Sequence, residues 1–122
     1  MRDFGAFKSI TAEELLVIQK EKPIAIIDVR RVDEWKLTGI IENSEKITFF
    51  DADGSYDIDQ FMEAFTKVIT TKEQPFILVC AHAQRTKPIG ELLGLQYKYE
   101  NVYELDGGIN YGWRDKGLET VK

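Results

Sequence analysis

Two short, largely apolar runs, residues 24–29 and 76–80, constrain the fold of this chain more than any other feature. Runs of this length that are bounded by turn residues are typical of strands covered on both faces, as in a parallel sheet. Stretches with helical periodicity lie before and after each run. Because parallel strands need crossover connections, the alternation predicts right-handed βαβ units and an α/β fold.

The remaining segments follow the same alternation. Thr11 as N-cap, with Glu14 three residues later, predicts a helix that ends near Pro23. Asp57 or Asp59 is expected to cap a helix that carries an apolar stripe. The other predicted helices cover residues 32–38, 88 to about 97 and about 109–116, and the other predicted strands cover residues 46–50 and 102–105. We therefore expect one α/β domain over residues 1–122.

Composition narrows the possible functions. A chain of 122 residues with a net charge of −5 and no basic stripe argues against nucleic acid as a partner. One cysteine cannot form an internal disulfide, and from the residue pattern we expect neither a leader nor a membrane-spanning stretch. We expect a cytoplasmic protein that does not contact a membrane and needs no cofactor.

An acidic stretch raises the question of a metal site. It contains Asp51, Asp53, Asp57 and Asp59. A calcium-binding EF-hand loop needs Gly at its sixth position and Glu at its twelfth, and this stretch has neither. The sequence therefore favours a solvated loop, and no metal ligands are predicted.

Cys80 is the candidate nucleophile. It ends the second apolar run and is followed by a loop, Ala81-His82-Ala83-Gln84-Arg85-Thr86, and then by a helical pattern. The unsatisfied N–H groups at a helix N-terminus favour negative charge, so a thiol placed there should ionise easily to its reactive thiolate. The alternative is a buried cysteine that packs as a small apolar residue.

Two further segments should lie beside this loop. In an open parallel sheet the ligand site lies outside the carboxyl ends of the strands. Asp28-Val29-Arg30 follows one predicted strand, and Asp106-Gly107-Gly108 follows another. Asp28, Arg30 and Asp106 are therefore candidates for supporting the loop.

At this point the sequence resembles the rhodanese-like family of single-domain sulfurtransferases, over almost the whole chain. The residues that carry the resemblance are Asp28-Val29-Arg30, Glu34-Trp35, Gly39, Cys80, Arg85, Leu105-Asp106-Gly107-Gly108 and Trp113. The resemblance implies a three-layer α/β/α fold with a mostly parallel central sheet. The loop from Cys80 to Arg85 has six residues, as in the sulfurtransferases, whereas the related dual-specificity phosphatases have seven.

The resemblance also implies a mechanism. The Cys80 thiolate attacks the outer sulfur of a donor such as thiosulfate, and the loop N–H groups stabilise the resulting persulfide. A small thiol or a protein thiol then accepts the sulfur in a second step. The lack of a second cysteine means that the acceptor has to be external.

Several positions depart from the family pattern. Ala81 and Ala83 stand where family members often have a basic residue and a glycine, so Ala83 is strained if the loop requires a positive φ there. His82 and Arg85 remain as candidate cations for the donor, and the loss of other cations implies weaker capture of thiosulfate. The connection over residues 39–48 also differs. These departures keep open a second hypothesis, a binding or sensing module with little turnover. A cysteine phosphatase or arsenate reductase is a third.

Individual side chains have alternative roles. Arg85 either binds the donor or forms a salt bridge on the helix face, and His82 either tunes the thiolate or lies on the surface. We expect Asp28 and Arg30 to hold the loop through hydrogen bonds and a pair with Glu34. Trp35 and Trp113 are predicted to belong to the core or to a pocket wall, and the Asp106 turn is predicted to pack against the loop.

Overall fold

The sheet is built from five parallel strands in the order β1-β5-β4-β2-β3. The structure is a computed structural model, and it describes residues 8–122. The strands are β1 (Lys8–Ile10), β2 (Ala25–Asp28), β3 (Glu45–Lys46), β4 (Phe76–Val79) and β5 (Val102–Leu105). The middle of the sheet is formed by β5, β4 and β2, the three strands that the sequence predicts most directly. Their carboxyl ends lie along the same edge of the sheet.

Helices follow each strand, and the first four lie in the connections between consecutive strands. They are α1 (Ala12–Glu21), α2 (Val32–Thr38), α3 (Ile58–Val68), α4 (Thr86–Glu91), which continues as a π-helical turn (Leu92–Gln96), and α5 (Gly108–Tyr111), which is followed by a 3₁₀ turn (Arg114–Lys116). The predicted capping box of α1 is present: Glu14 N donates to Thr11 Oγ1 (3.1 Å) and Thr11 N donates to Glu14 Oε1 (2.8 Å). Asp57, rather than Asp59, caps α3 by accepting from Gln60 N.

Two apolar cores cover the two faces of the sheet. Alternate residues of β4 point in opposite directions, so Phe76 and Leu78 join one core while Ile77 and Val79 join the other. Residues of α3 and α4 complete the first core, and residues of α1 and α5 complete the second. The three-layer α/β/α fold is therefore confirmed, with all strand pairings of the sheet parallel across residues 8–122.

Four elements differ from the prediction. Strand β1 was not predicted because it has only three residues, of which Ile10 alone is buried, and its partner β5 is distant in sequence. The strand predicted over residues 46–50 is present but has different bounds: β3 covers Glu45–Lys46, although Ile47 N and Phe49 N still donate to the carbonyls of Asp28 and Val29.

The last helix is the third difference. It is split into α5, which ends at Tyr111, and the 3₁₀ turn Arg114–Lys116. Gly112 lies between them, and only glycine fits there because a Cβ would lie 1.8 Å from the Asp106 carbonyl oxygen. The helix predicted to begin at Pro88 begins at Thr86, because proline is tolerated in the first turn, where N–H groups have no partner within the helix. Within residues 8–122, no helix is both long enough and apolar enough to cross a bilayer.

Candidate active site

Three strand ends meet at the carboxyl edge of the sheet. Asp28 pairs in register with Val79, which directly precedes Cys80. Strand β5 lies on the other side of β4 and leads into Asp106. The segments that begin at Asp28, Cys80 and Asp106 are therefore neighbours, as the βαβ topology implies.

The start of the Cys80 loop rests on the N-terminus of α5. Ile109 N donates to the Cys80 carbonyl oxygen (2.8 Å), and Asn110 N donates to that of Ala81 (3.0 Å). At Gly108, which has a φ of 67°, a Cβ would lie 2.4 Å from the Ala81 oxygen. The glycine turn therefore packs directly against the loop, whereas the Asp106 side chain is exposed and its backbone N–H donates to Ile10 O.

The loop passes through a left-handed residue. Ala83 has a φ of 64° and is buried. Glycine adopts this conformation without strain. The positive φ at Ala83 is the condition under which the sequence predicts a strained residue here. A side chain is tolerated here at some cost, so the loop keeps a curved path without the usual glycine.

A buried polar network lies behind the cysteine. Cys80 is a free thiol, 1% exposed, and its Sγ lies 3.9 Å from the hydroxyl oxygen of the fully buried Thr86. Thr86 Oγ1 donates to Glu104 Oε1 (2.5 Å), and Lys87 Nζ donates to Glu104 Oε2 (2.6 Å). This network connects the thiol, the start of α4 and strand β5.

Sequence reasoning missed Glu104. Its carboxylate is buried at the end of β5, where the apolar neighbours of the strand mask its role. The available signal was an ionisable residue inside a buried strand, which has to find partners. Its partners Lys87 and Thr86 lie 17 and 18 residues earlier in the chain. They lie next to Glu104 because β4 pairs with β5, and the sequence alone does not show that pairing.

Arg85 at the end of the loop is bound by Glu34 of α2. Its Nη1 and Nη2 atoms donate to the two carboxylate oxygens at 2.8 and 2.7 Å. The hydrogen bonds to Glu34 raise the pKa of Arg85 and burial lowers it, while the charges of Glu34, Cys80 and Asp28 raise it further. Arg85 therefore forms a bidentate salt bridge with Glu34 of α2.

The predicted pair between Arg30 and Glu34 is wrong. Arg30 instead binds Asp28, with Nη2 to Oδ2 at 2.8 Å and Nε to Oδ1 at 2.9 Å, and both side chains are 1% exposed. Its remaining N–H groups donate to Thr38 Oγ1 and to the Gly39 carbonyl oxygen, both at 2.8 Å. Asp28 therefore pairs with Arg30, two residues away. The other hydrogen bonds of Arg30 join the end of β2 to the end of α2.

Replacing Glu34 with Gln is expected to lower the free energy of unfolding near pH 7 by roughly 1–2 kcal/mol. Partial burial raises the pKa of Glu34, but hydrogen bonds from Arg85 and from Arg31 N and the charges of both arginines lower it overall from 4.5 to about 2. Its stabilising contribution is therefore complete above pH 4.5 and is lost as the pH falls toward 2.

Urea unfolding of both proteins at neutral pH and near pH 3 measures this contribution. The difference in the free energy of unfolding between wild type and Glu34→Gln should be smaller near pH 3, because the stabilisation by the ionised Glu34 carboxylate decreases below pH 4.5. A difference that stays constant between the two conditions contradicts the assignment of the low pKa to Glu34.

The outer part of the loop borders solvent. His82 is exposed, with Nε2 3.3 Å from Asn110 Nδ2 and its ring 4.3 Å from that of Tyr111. Gln84 and Arg85 line a groove of about 400 Å³ together with Phe50 and Pro88. The exposed loop residues thus face two different neighbours, an aromatic side chain on one side and a groove on the other.

The remaining candidates are structural. Trp113 is buried in the second core and donates from Nε1 to Glu119 O at 2.8 Å. Trp35 is half-buried on α2, with Lys46 Nζ 5.6 Å from its ring centre. Asp51 and Asp53 of the acidic stretch accept hydrogen bonds from Ser55. Across residues 8–122, no three His, Cys, Asp or Glu side chains are grouped closely enough to hold a metal ion.

Comparison with known proteins identifies the family. Residues 11–116 match the model of the rhodanese-like domain, so this chain belongs to the rhodanese-like family. A search of curated proteins finds no significant match.

Solved structures share the fold. A rhodanese-related protein from Thermoplasma volcanium is 24% identical, with 93% of this chain and 97% of that chain covered and a TM-score of 0.65. A rhodanese-like domain protein from Staphylococcus aureus is 26% identical, with coverages of 94% and 99% and a TM-score of 0.64. The polysulfide-sulfur transferase of Wolinella succinogenes is 22% identical, with coverages of 98% and 81% and a TM-score of 0.71.

Proposed function

We propose that this protein is a sulfurtransferase in which Cys80 carries the transferred sulfur as a persulfide. One observation carries the proposal: a free cysteine directly follows the central strand β4 and opens a six-residue curved loop that leads into α4. Membership of the rhodanese-like family supports it. Asp28, Arg30 and the Asp106 turn act as supports, because they hold the chain segments beside the loop.

The first step is attack of the Cys80 thiolate on the outer sulfur of a sulfane-sulfur donor. For thiosulfate, a new S–S bond forms at Cys80, the donor S–S bond breaks, and its electron pair leaves with sulfite. The backbone N–H groups of residues 81–86 stabilise the persulfide charge in this proposal. The reaction has no net oxidant or reductant, since sulfur passes from one partner to the other.

The second step returns the enzyme to its free thiol. A thiolate acceptor, on a small molecule or a protein, attacks the outer sulfur of the Cys80 persulfide and removes it. Because the donor reacts with the free thiol form and the acceptor with the persulfide form, and the first product leaves in between, parallel double-reciprocal plots are expected for donor and acceptor. A reducing compartment such as the cytoplasm keeps Cys80 as the free thiol that this cycle needs.

Intact mass measurement tests the proposal. The purified protein is incubated with a panel of sulfane-sulfur donors under non-reducing conditions, beside a Cys80→Ser variant. We expect the wild type to gain one sulfur atom and the variant to gain none, and a thiol acceptor to reverse the gain. A wild type that gains no sulfur from any donor while its Cys80 remains alkylatable contradicts the proposal.

A second candidate is a rhodanese-like carrier or protein-binding module with little turnover. The observation that favours it is the loop itself, in which Ala81 and Ala83 replace a cation and a glycine and Arg85 is bound by Glu34. Steady-state assays distinguish the two. A carrier forms the persulfide once and transfers it only to its partner, whereas an enzyme turns over with small thiol acceptors.

A further inference from the structure

We infer that Glu104 is a positioning residue that acts through the hydroxyl group of Thr86 to hold the resting Cys80 in its protonated thiol form. The inference rests on the proposed function for the role of Cys80, but it is tested on the thiol itself, without a sulfur donor. Two hydrogen bonds with a fixed direction carry it, from Cys80 Sγ to Thr86 Oγ1 (3.9 Å) and from Thr86 Oγ1 to Glu104 Oε1 (2.5 Å).

Glu104 sets the direction of these hydrogen bonds. An ionised carboxylate accepts hydrogen bonds and has no proton to donate. Lys87 Nζ donates to the other carboxylate oxygen of Glu104 at 2.6 Å, and the positive charge of Lys87 favours the ionised carboxylate. The Glu104 side chain is 3% exposed, so Thr86 and Lys87 replace the water that the carboxylate loses on folding. The proton of the Thr86 hydroxyl group therefore points at Glu104.

The sulfur atom then lies beside the lone pairs of the hydroxyl oxygen. A hydroxyl group has one proton, and in Thr86 that proton is already used by Glu104. Thr86 can accept a hydrogen bond from the Cys80 S–H group, but it cannot donate one to a Cys80 thiolate. Thr86 is fully buried, so its hydroxyl group has no solvent partner in place of Glu104. The network behind the cysteine thus favours the thiol.

This effect opposes that of the loop in front of the cysteine. The loop N–H groups favour negative charge at the sulfur atom, and the thiolate is the reactive form of a cysteine. In the proposed cycle, the first step starts from the thiolate and the second step releases it from the persulfide. A hydroxyl group directed at Glu104 stabilises neither thiolate. Glu104 therefore slows both steps and leaves the free thiol less reactive between turnovers.

The other charged side chains near the cysteine do not depend on Glu104. Arg85, whose pKa is raised in part by the Cys80 charge, is paired with Glu34, and Arg30 is paired with Asp28. Further ionisable side chains on the segments that meet at the loop are exposed, namely Lys46, His82 and Asp106. A substitution of Glu104 leaves all of these in place, so its effect on the thiol reports the network alone.

The variant Glu104→Gln reverses the direction of the hydrogen bonds. The Lys87 ammonium favours the amide oxygen of the new side chain, which leaves the amide NH₂ group to donate to Thr86 Oγ1. The Thr86 proton is then free to point at the sulfur atom. We expect the ratio of thiolate to thiol at Cys80 to rise about tenfold at a given pH. The ultraviolet absorbance of the thiolate measures this ratio as a function of pH, with Cys80→Ser as the blank.

Variants of Thr86 separate the hydrogen bond from the lost charge. Removing a negative charge near a thiol favours the thiolate even without Thr86. In a Thr86→Val protein only this charge effect remains, so Glu104→Gln should change the ratio by less than about threefold there. In a Thr86→Ser protein, which keeps the hydroxyl group, the change should again be about tenfold. Glu13→Gln removes a charge from the exposed pair with Lys116 and should leave the ratio unchanged.

Infrared spectroscopy tests the same hydrogen bond in the wild type. The chain has one cysteine, so a single S–H stretching band is expected. An S–H group that donates a hydrogen bond absorbs at a lower wavenumber than a free one. We expect the Cys80 band below that of an alkyl thiol dissolved in hexane, where the S–H group has no oxygen acceptor.

Several results would overturn the inference. These are an equal ratio of thiolate to thiol in wild type and Glu104→Gln, an equal effect of Glu104→Gln with Thr86 and with Val at that position, and a wild-type S–H band that is absent or lies at the hexane value. The infrared measurement decides the matter even if Glu104→Gln does not fold. None of these results uses a sulfur donor, so each leaves the sulfurtransferase proposal standing. A Cys80 that gains no sulfur from any donor overturns that proposal instead, and the thiol measurements still decide the role of Glu104.

Discussion

Replacing Arg30 with Met is expected to lower the free energy of unfolding by about 3–5 kcal/mol, because it breaks a buried ion pair and leaves a buried charge without a partner. Arg30 and Asp28 are each 1% exposed and share two short hydrogen bonds. Methionine fills much of the same volume, so the loss reports the polar partners of Arg30 more than its packing. Those partners include Thr38 Oγ1 and the Gly39 carbonyl oxygen.

Two further variants identify the cause. The double variant Asp28→Asn with Arg30→Met removes the orphaned charge, so it should be more stable than Arg30→Met alone. Lys116→Met breaks the exposed pair with Glu13 and is expected to cost less than about 1 kcal/mol. Urea unfolding followed by circular dichroism measures all three. An Arg30→Met protein as stable as Lys116→Met would show that the buried pair contributes little.

The Arg30 pair shows where reasoning from sequence stops. The motif Asp28-Val29-Arg30 identified both side chains as supports, but it predicted Glu34 as the partner of Arg30. The structure assigns Arg30 to Asp28 and Glu34 to Arg85, 51 residues away. Residue types and spacing predict that charges near a strand end will pair. The choice of partner depends on how α2 sits against the loop, which only the folded chain determines.

The elements that were predicted correctly carry local signals. Val102–Leu105 begins with a β-branched and an aromatic residue, and the Thr11–Glu14 box places both capping partners within one turn. Strand β1 lacks such a signal: its three residues become a strand because β5 offers an edge to pair with. The strand predicted over residues 46–50 is found only at Glu45–Lys46. Beyond it, Phe49 N keeps a hydrogen bond to the Val29 carbonyl, while the rings of Phe49 and Phe50 pack against that of Tyr56.

The features of the site also divide into those that the sequence predicts and those that it does not. The position of Cys80 at a strand end, the six-residue loop and the strained place of Ala83 follow from the order of residues along the chain. The network from Cys80 through Thr86 to Glu104 does not, because it joins two strands and a helix. Charge balance around the loop is also a property of the fold. The sequence shows how many cations are present, whereas only the structure shows that Glu34 is already hydrogen-bonded to Arg85.

Gly108→Ala is expected to lower the free energy of unfolding by about 3 kcal/mol or more, from backbone overlap together with left-handed strain. An added Cβ would lie 2.4 Å from the Ala81 oxygen and 2.6 Å from that of Cys80, and backbone atoms cannot move aside as a flexible side chain can. Relief of the overlap requires the loop to separate from α5, which breaks the hydrogen bonds from Ile109 N and Asn110 N.

Gly117→Ala is the matched control, because Gly117 also has a positive φ, 86°, but open space where the Cβ would be. It should cost only about 1–2 kcal/mol from the left-handed conformation. Hydrogen exchange adds a local measurement: the amides of Ile109 and Asn110 should lose protection in Gly108→Ala and keep it in Gly117→Ala. Equal losses of stability in the two variants, with both amides still protected, would mean that the glycine turn does not hold the Cys80 loop. A larger loss of stability in Gly108→Ala, with the amides of Ile109 and Asn110 unprotected, would show that the packing of the Cys80 and Ala81 carbonyl oxygens against Gly108 holds the loop in its shape.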